Sequence, residues 1–290
     1  MKETISIRLL RTIQEAQKHL DEEALKLIRE FVVKQRETDG VAFFDKNGQP
    51  DLYYTAFGWL LSYALNIPLD AKKRKAFIDG QEEDALGLIH YAALVRCRLL
   101  DMLMRKDILQ LAWNSLNRKQ DIRPLSSFRE VPQHDPNSPY SQFIWQGLLE
   151  DMGGQMQVSV KENLAIYHVN DGGYSNSVHS DMAYLNATAA ALALVGQADG
   201  WKPNDDVETL RSMQESSGGF KASAEAPMED LLSTATALFV IKQFGVKPKY
   251  EVIDFITSHW LQNGGFSATI LDETSDVEYV FYGLLAIGTI

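Results

Sequence analysis

The stretch QESSGGFKASAEAPMED, Gln214 to Asp230, runs into LLSTATALFVIKQFG and decides the fold, because its frame recurs. Gly172-Gly173-Tyr174, Gly218-Gly219-Phe220 and Gly264-Gly265-Phe266 succeed one another at 46-residue intervals. Leu164, Leu210 and Ile256 each stand ten residues before the aromatic, and Tyr184, Asp230 and Asp276 ten residues after it. Behind these come LNATAAALALVG, LLSTATALFVIKQFG and VEYVFYGLLAIG. A fixed period in this range marks stacked supersecondary units.

Each unit reads as two helices. Before the glycines, apolar residues fall at helical spacing, as in Val252, Phe255, Ile256 and Trp260. The glycine pair supplies the positive φ that stops a helix and turns the chain. Asp230 and Asp276 are natural N-caps for the second helix of their units. That second helix is apolar nearly all round, so it has to be buried on several sides, whereas the amphipathic helix before the glycines belongs outside. A fainter copy lies near the start, where FVVKQRETDGVAFF precedes Asp51 and LYYTAFGWLLSYALN. Another inner helix begins at Pro139 in PYSQFIWQGLLEDMGG, and residues 81–117 fit a degenerate pair. Inner helices are thus predicted to start near Asp51, residue 84, Pro139, Tyr184, Asp230 and Asp276. Alternating outer and inner helices suit an open solenoid or a closed ring, and the apolar inner helices favour the ring.

Two segments fit less simply. MQVSVKENLAIYHV, residues 156–169, has the Val/Ile/Tyr content of a hairpin, but the repeat register predicts a helix there. Residues 121–139 carry four of the nine prolines and are read as a long loop, either a lid or a surface excursion.

Composition excludes several classes. Lys+Arg is 28 against 39 Asp+Glu, a net charge of −11, which argues against bulk-charge binding of nucleic acid or anionic membrane. Hydrophobic residues make up 45%, enough for a sizeable core. The one cysteine, Cys97, permits no internal disulfide and no CxxC ribbon. No apolar run is long enough to span a bilayer, and MKETISIRLLRTIQEAQKHL reads as an amphipathic helix rather than a signal peptide. The expectation is a soluble, cytoplasmic protein.

Gln214-Glu-Ser-Ser-Gly-Gly-Phe220 and Gln262-Asn-Gly-Gly-Phe266, each leading to an Asp-initiated helix, resemble the glutamine, glycine-pair, aromatic repeat of the terpenoid-cyclase and protein-prenyltransferase β-subunit superfamily. The clear match covers about residues 160–290, with a weaker one at 28–65. The resemblance implies an all-α (α/α)6 toroid of about six helix pairs, one domain over 1–290, with a central apolar cavity. Its repeats specify fold more than reaction. Zinc-dependent members carry Asp-x-Cys at one inner-helix start and a His at the fourth position of a later one. The matching positions here are Asp230-Leu-Leu232 and Tyr279, so zinc is not expected and no cofactor is predicted, with magnesium left open. The bases that such enzymes place after the glycines are reduced to Lys221, and Asn204-Asp-Asp206 does not form the Asp-x-Asp-Asp motif of class II cyclases.

The starts of inner helices line one mouth of a ring. Those turns carry Asp45, Asp51, Glu225, Glu229, Asp230, Asp272, Glu273, Asp276 and Glu278. An acidic rim suits a cationic ligand, acid catalysis or a hard metal, though Asp51, Asp230 and Asp276 also read as N-caps. Glu278, two residues into an apolar helix, becomes a proton donor if burial raises its pKa; otherwise it supports the helix dipole. The catalytic candidates are therefore Glu278, Asp230 and Asp276. Tyr53, Tyr54, Trp59, Ser233 and Tyr279 are expected to form the binding wall, with Tyr282 beside them, by position in the first turns of three inner helices. His90 and Cys97, seven apart, read as packing residues rather than a thiol–imidazole pair.

The sequence thus points to a transferase- or cyclase-like protein that binds an isoprenoid or similar hydrophobic small molecule. Two other classes stay open: a non-catalytic toroid that binds a peptide, a lipid or a partner subunit, and a carbohydrate-active toroid with paired carboxylates.

Overall fold

A computed structural model of the chain describes residues 3–106, 122–128, 135, 137–154, 160–170, 172–196 and 205–290. These residues are mostly helical, with one two-stranded ribbon. The helices are α1 (Ile5–Ala16), α2 (Glu22–Lys34), α3 (Leu52–Ala64), α4 (Ala71–Asp79), α5 (Leu88–Met104) and α6 (Pro139–Asp151). Then come α7 (Val160–Ala165), α8 (Leu185–Val195), α9 (Asp205–Ser212), α10 (Leu231–Gln243), α11 (Ile253–Ser258) and α12 (Val277–Ile287). The ribbon pairs β1 (Phe43–Phe44) with β2 (Pro50–Asp51) antiparallel, Phe43 opposite Asp51.

Five of the six expected inner-helix starts fall within one residue of α3, α6, α8, α10 and α12. The sixth begins at Leu88 rather than near 84, because Glu83–Ala85 forms a separate 3₁₀ turn and Gly87 is the N-cap. The helix expected over 156–169 is present only as α7; Tyr167 and His168 turn back to bond the glycine turn, and residues 155–159 lie outside the described residues. Much of the proline-rich 121–139 segment also lies outside them.

The 46-residue repeat is visible as repeated hydrogen bonds. The backbone N–H of Tyr174 donates to Thr188 Oγ1 and that of Phe220 to Thr234 Oγ1, both at 2.9 Å. Phe43 N–H makes the same bond to Thr55 Oγ1 at 2.9 Å, so the faint N-terminal copy is a true one. In the last copy Val280 replaces the threonine, and Ser275 Oγ accepts from Phe266 N–H at 3.0 Å. Gln214 joins two repeats: its amide donates to the Gly218 and Tyr250 carbonyls and accepts from the Lys249 and Tyr250 N–H groups. In the last copy Trp260, not Gln262, holds this register, pairing with Phe266 while Gln262 is exposed.

Helices α3, α5, α6, α8, α10 and α12 contact one another in that order, and α12 also contacts α3. The seam between the ends of the chain is tight. Gly264 has φ +90°, and a Cβ there would stand 2.3 Å from the Leu27 carbonyl oxygen of α2. Only glycine fits that backbone at that distance.

Helix α1 lies across the C-terminal ends of α3, α6, α10 and α12. Thr4 Oγ1 donates to Asp151 Oδ1 at 2.9 Å and Ser6 Oγ to Asp151 Oδ2 at 2.6 Å, at the end of α6. Arg8 donates to Gln243 at the end of α10, and Gln17 Nε2 to the Ala64 carbonyl of α3 at 3.0 Å. Gly288, just past α12, leaves no space for a Cβ beside the Thr12 carbonyl. Among the described residues, no helix is long and apolar enough to cross a membrane.

Candidate functional site

One capping device sets the opposite, N-terminal ends of three inner helices. Asp51, Asp230 and Asp276 each accept the backbone N–H three residues on, from Tyr54 at 3.0 Å, Ser233 at 2.7 Å and Tyr279 at 3.0 Å. The three caps bring the first turns of α3, α10 and α12 into equivalent positions. Asp230 spends its second oxygen on Ser233 Oγ, at 2.7 Å. Burial pushes the carboxyls of Asp230 and Asp276 up, against the cap bonds that lower them. Asp230 and Ser233 are thus partners in a cap, and Ser233 is buried.

Glu278 is the second residue of α12 and is 8% exposed. Tyr53 donates its phenol proton to Glu278 Oε1 at 2.7 Å, joining α3 to α12. Burial raises the Glu278 carboxyl above its ordinary range; the Tyr53 bond and Lys46 oppose this, and Asp276 adds to it. The Tyr53 phenol is itself pushed up, first by burial and then by Tyr282 and Glu278. Aromatic rings continue the wall inward. Tyr53 meets Phe57 edge-on with centroids 5.0 Å apart, and Phe57 meets Phe281 at 4.9 Å. Tyr279 lies 6.4 Å from Tyr282 and carries the Lys46 ammonium 5.0 Å above its ring.

Of the expected wall, Tyr53, Tyr54 and Tyr279 gather with Glu278. Trp59 is the correction. Six residues after Tyr53 on a helix, it faces the other way: its indole N–H donates to the Val41 carbonyl at 2.8 Å and its ring packs on Phe77 of α4. His90 and Cys97 also separate. His90 is exposed beside the N-cap of α3, 3.2 Å from Asp51 Oδ2, whereas Cys97 is fully buried.

Two residues that sequence reasoning did not single out, Tyr140 and Arg96, lie within electrostatic reach of this cluster. Burial raises the Tyr140 phenol of α6; Arg96 of α5 lowers it and Glu278 of α12 raises it further. Burial likewise holds Tyr282 well above its ordinary value, with Glu278, Tyr140 and Arg96 around it. Charged and phenolic groups on α3, α5, α6 and α12 therefore lie within electrostatic reach of one another. Tyr282 nevertheless keeps some accessible surface, as do Phe57, Leu60 and Phe143. Gly147, one heptad from Tyr140, is buried, yet a Cβ there would meet nothing within 4 Å. Among the described residues no three His, Cys, Asp or Glu side chains group as metal ligands. A separate apolar groove of about 310 Å³ lies outside, between Leu20, Ala24, Ile253, Trp260 and Ile290.

This architecture has counterparts among solved structures. A protein from Actinoplanes matches 92% of this chain and 97% of its own length, at 12% identity and a TM-score of 0.54. The type II terpene cyclase MstE from Scytonema, as a variant bound to geranylgeranyl dihydroxybenzoate, matches 96% of this chain and 97% of its own, at 13% identity and a TM-score of 0.50. The chain has a terpenoid-cyclase-like fold. A second variant complex of MstE with that substrate gives 12% identity and the same TM-score of 0.50. At such identities the likeness is one of fold, and it agrees with the resemblance carried by the glycine–aromatic repeats. No protein-family model and no curated protein matches the chain.

Proposed function

We propose that the six inner helices close a single-domain (α/α)6 toroid whose lumen takes an isoprenoid or similarly hydrophobic small molecule, with Glu278 as its proton donor. The observation that carries this reading is the desolvated Glu278 carboxyl, hydrogen-bonded by Tyr53 in a wall of aromatic rings. Burial keeps the carboxyl protonated above the ordinary carboxylate range, which an acid catalyst near neutral pH requires. Its Oε1 accepts from Tyr53, so Oε2 can carry the proton to an alkene carbon of the ligand. The Tyr53 phenol then stabilises the carboxylate that remains. The resulting carbocation faces the rings of Phe57, Tyr279 and Tyr282, whose π-faces attract positive charge. Loss of a proton from the cation back to Glu278 restores the acid.

Glu278→Gln keeps the shape and removes the acid. Turnover of a polyprenyl substrate should fall by about 10²–10⁴-fold, with helical circular dichroism unchanged. Stability should move the other way. The folded pKa of Glu278 is raised, so its contribution is fully present below the ordinary carboxylate range and is lost as pH rises through the raised value. The variant should match the wild type in acid and exceed it at pH 7. Unchanged turnover would remove Glu278 from the acid role.

A further inference from the structure

We propose that the apolar groove at the seam between the ends of the chain binds a small neutral molecule, the size of two fused rings, through a hydrogen bond from Trp260 to an acceptor on it. The site lies outside the inner helices and is independent of the lumen reading.

The repeat explains why a groove is there. Trp260 holds the place that Gln214 holds 46 residues earlier. Gln214 fills its own seam by bonding the Tyr250 carbonyl and the Lys249 and Tyr250 N–H groups, which precede α11 and are not used by a helix. At the last seam the beginning of the chain takes the place of a next repeat. A Cβ on Gly264 would meet the Leu27 carbonyl as one on Gly218 would meet that of Glu251, so the residues just before Leu27 stand where Lys249 and Tyr250 stand. Here, however, α2 is helical from Glu22 onward, and its carbonyls are spent within the helix. An amide at position 260 would find no acceptor. An indole stands there instead, and a groove of about 310 Å³ lies between it, Leu20 and Ala24.

Size fixes the kind of occupant. An apolar cavity of about 150 Å³ holds one benzene ring, so this groove has room for about twice that. A stable protein interface takes about 20–30 residues a side, whereas Ile253 and Ile290 are the only large apolar residues of this lining that are exposed.

Chemistry fixes the class. Trp260 and Phe266 meet edge-on with centroids 5.2 Å apart, and Ile256 and Ile287 line the same space. The Trp260 indole N–H makes no hydrogen bond among the described residues, although the side chain is half-buried. Such a donor at the edge of an apolar surface calls for an acceptor. Along the chain the lining residues are flanked by Asp21, Glu22, Glu23 and Asp254, while Lys18 is held by Glu15 at 2.5 Å. Those carboxylates repel an anion, so the acceptor belongs to a neutral ketone, ether or alcohol.

Calorimetric titration of the full chain with 1-tetralone, a fused-ring ketone, and with tetralin, the same rings without the oxygen, tests this. Wild type should bind tetralone with a Kd of about 10–100 µM, and tetralin about 3- to 10-fold more weakly, the range for one neutral hydrogen bond. Trp260→Phe keeps a ring but removes the donor, and should bind the two equally. Ala24→Phe fills the groove from α2 and Thr257→Trp from α11; each should abolish binding with helical circular dichroism unchanged. No binding of tetralone by wild type up to about 1 mM, equal affinity of wild type for the two probes, or binding that survives in both folded groove-filling variants would overturn the proposal. So would a dimer in sedimentation that Ala24→Phe dissociates, because a second copy would then cover the groove. None of these outcomes bears on Glu278 or the lumen.

Discussion

The two ends of the inner helices are finished in different ways. At the mouth, each of three helices is capped by its own aspartate, three residues before the N–H it holds. The device is local and lies within one turn. At the base, the helix ends are covered by a separate element, α1, whose contacts to Asp151 span about 145 residues of chain. The N-terminal ends are thus fixed repeat by repeat, while the C-terminal ends of α6 and α10 are held by one long-range docking. Helix ends leave unpaired N–H groups at one terminus and unpaired carbonyls at the other. An aspartate answers one of the first kind within its own turn, whereas α1 answers one of the second, the Ala64 carbonyl, through Gln17.

Substitutions at each end should break this contrast in different ways. The largest effect is expected at the seam, where the last turn beside the mouth meets α2. Gly264→Ala puts a side chain at φ +90° against the Leu27 carbonyl, and should cost about 3 kcal/mol in urea unfolding of the whole chain. A loss within error there would mean that α2 and the last repeat are not rigidly joined. Asp151→Ala should cost about 1–3 kcal/mol, because two hydroxyl donors of α1 lose their acceptor. Amide exchange should quicken in α1 and remain slow in α10 and α12; uniform acceleration would show that the base is no separate element. The smallest effect is expected from Asp230→Ala, about 1 kcal/mol for one N-cap, with exchange quickened only in the first turn of α10.

The first half of the chain shows why some of this is legible in the residues and some is not. Asp51 and the FF pair give away a repeat because a cap and an aromatic have fixed places in the unit, and the Phe43–Thr55 bond bears that out. The inner helix at Leu88 is predicted four residues early because it has no aspartate cap; its N-cap is Gly87. Distance from the helix start assigns Trp59 to the wall, but a helix turns about 100° per residue, and position 59 faces α4. Arg96 is easily passed over inside LIHYAALVRCRLL, although a lone charge on a heptad with Ile89 and Leu103 is a readable signal. The amphipathic pattern of α1 tells that one face is buried, without telling what it covers.

The sequence by itself determined the period, the two-helix unit, the caps and the acid at the start of α12, because each of these depends on residues within about one turn of one another. Only the tertiary structure decided which residues meet. Tyr53 and Glu278 are 225 residues apart and bond because α12 returns to α3. Asp151 meets Thr4 and Ser6 because α1 packs against the end of α6, about 145 residues away in the chain. No periodicity records such encounters, since they are fixed by the packing of helices far apart in the chain.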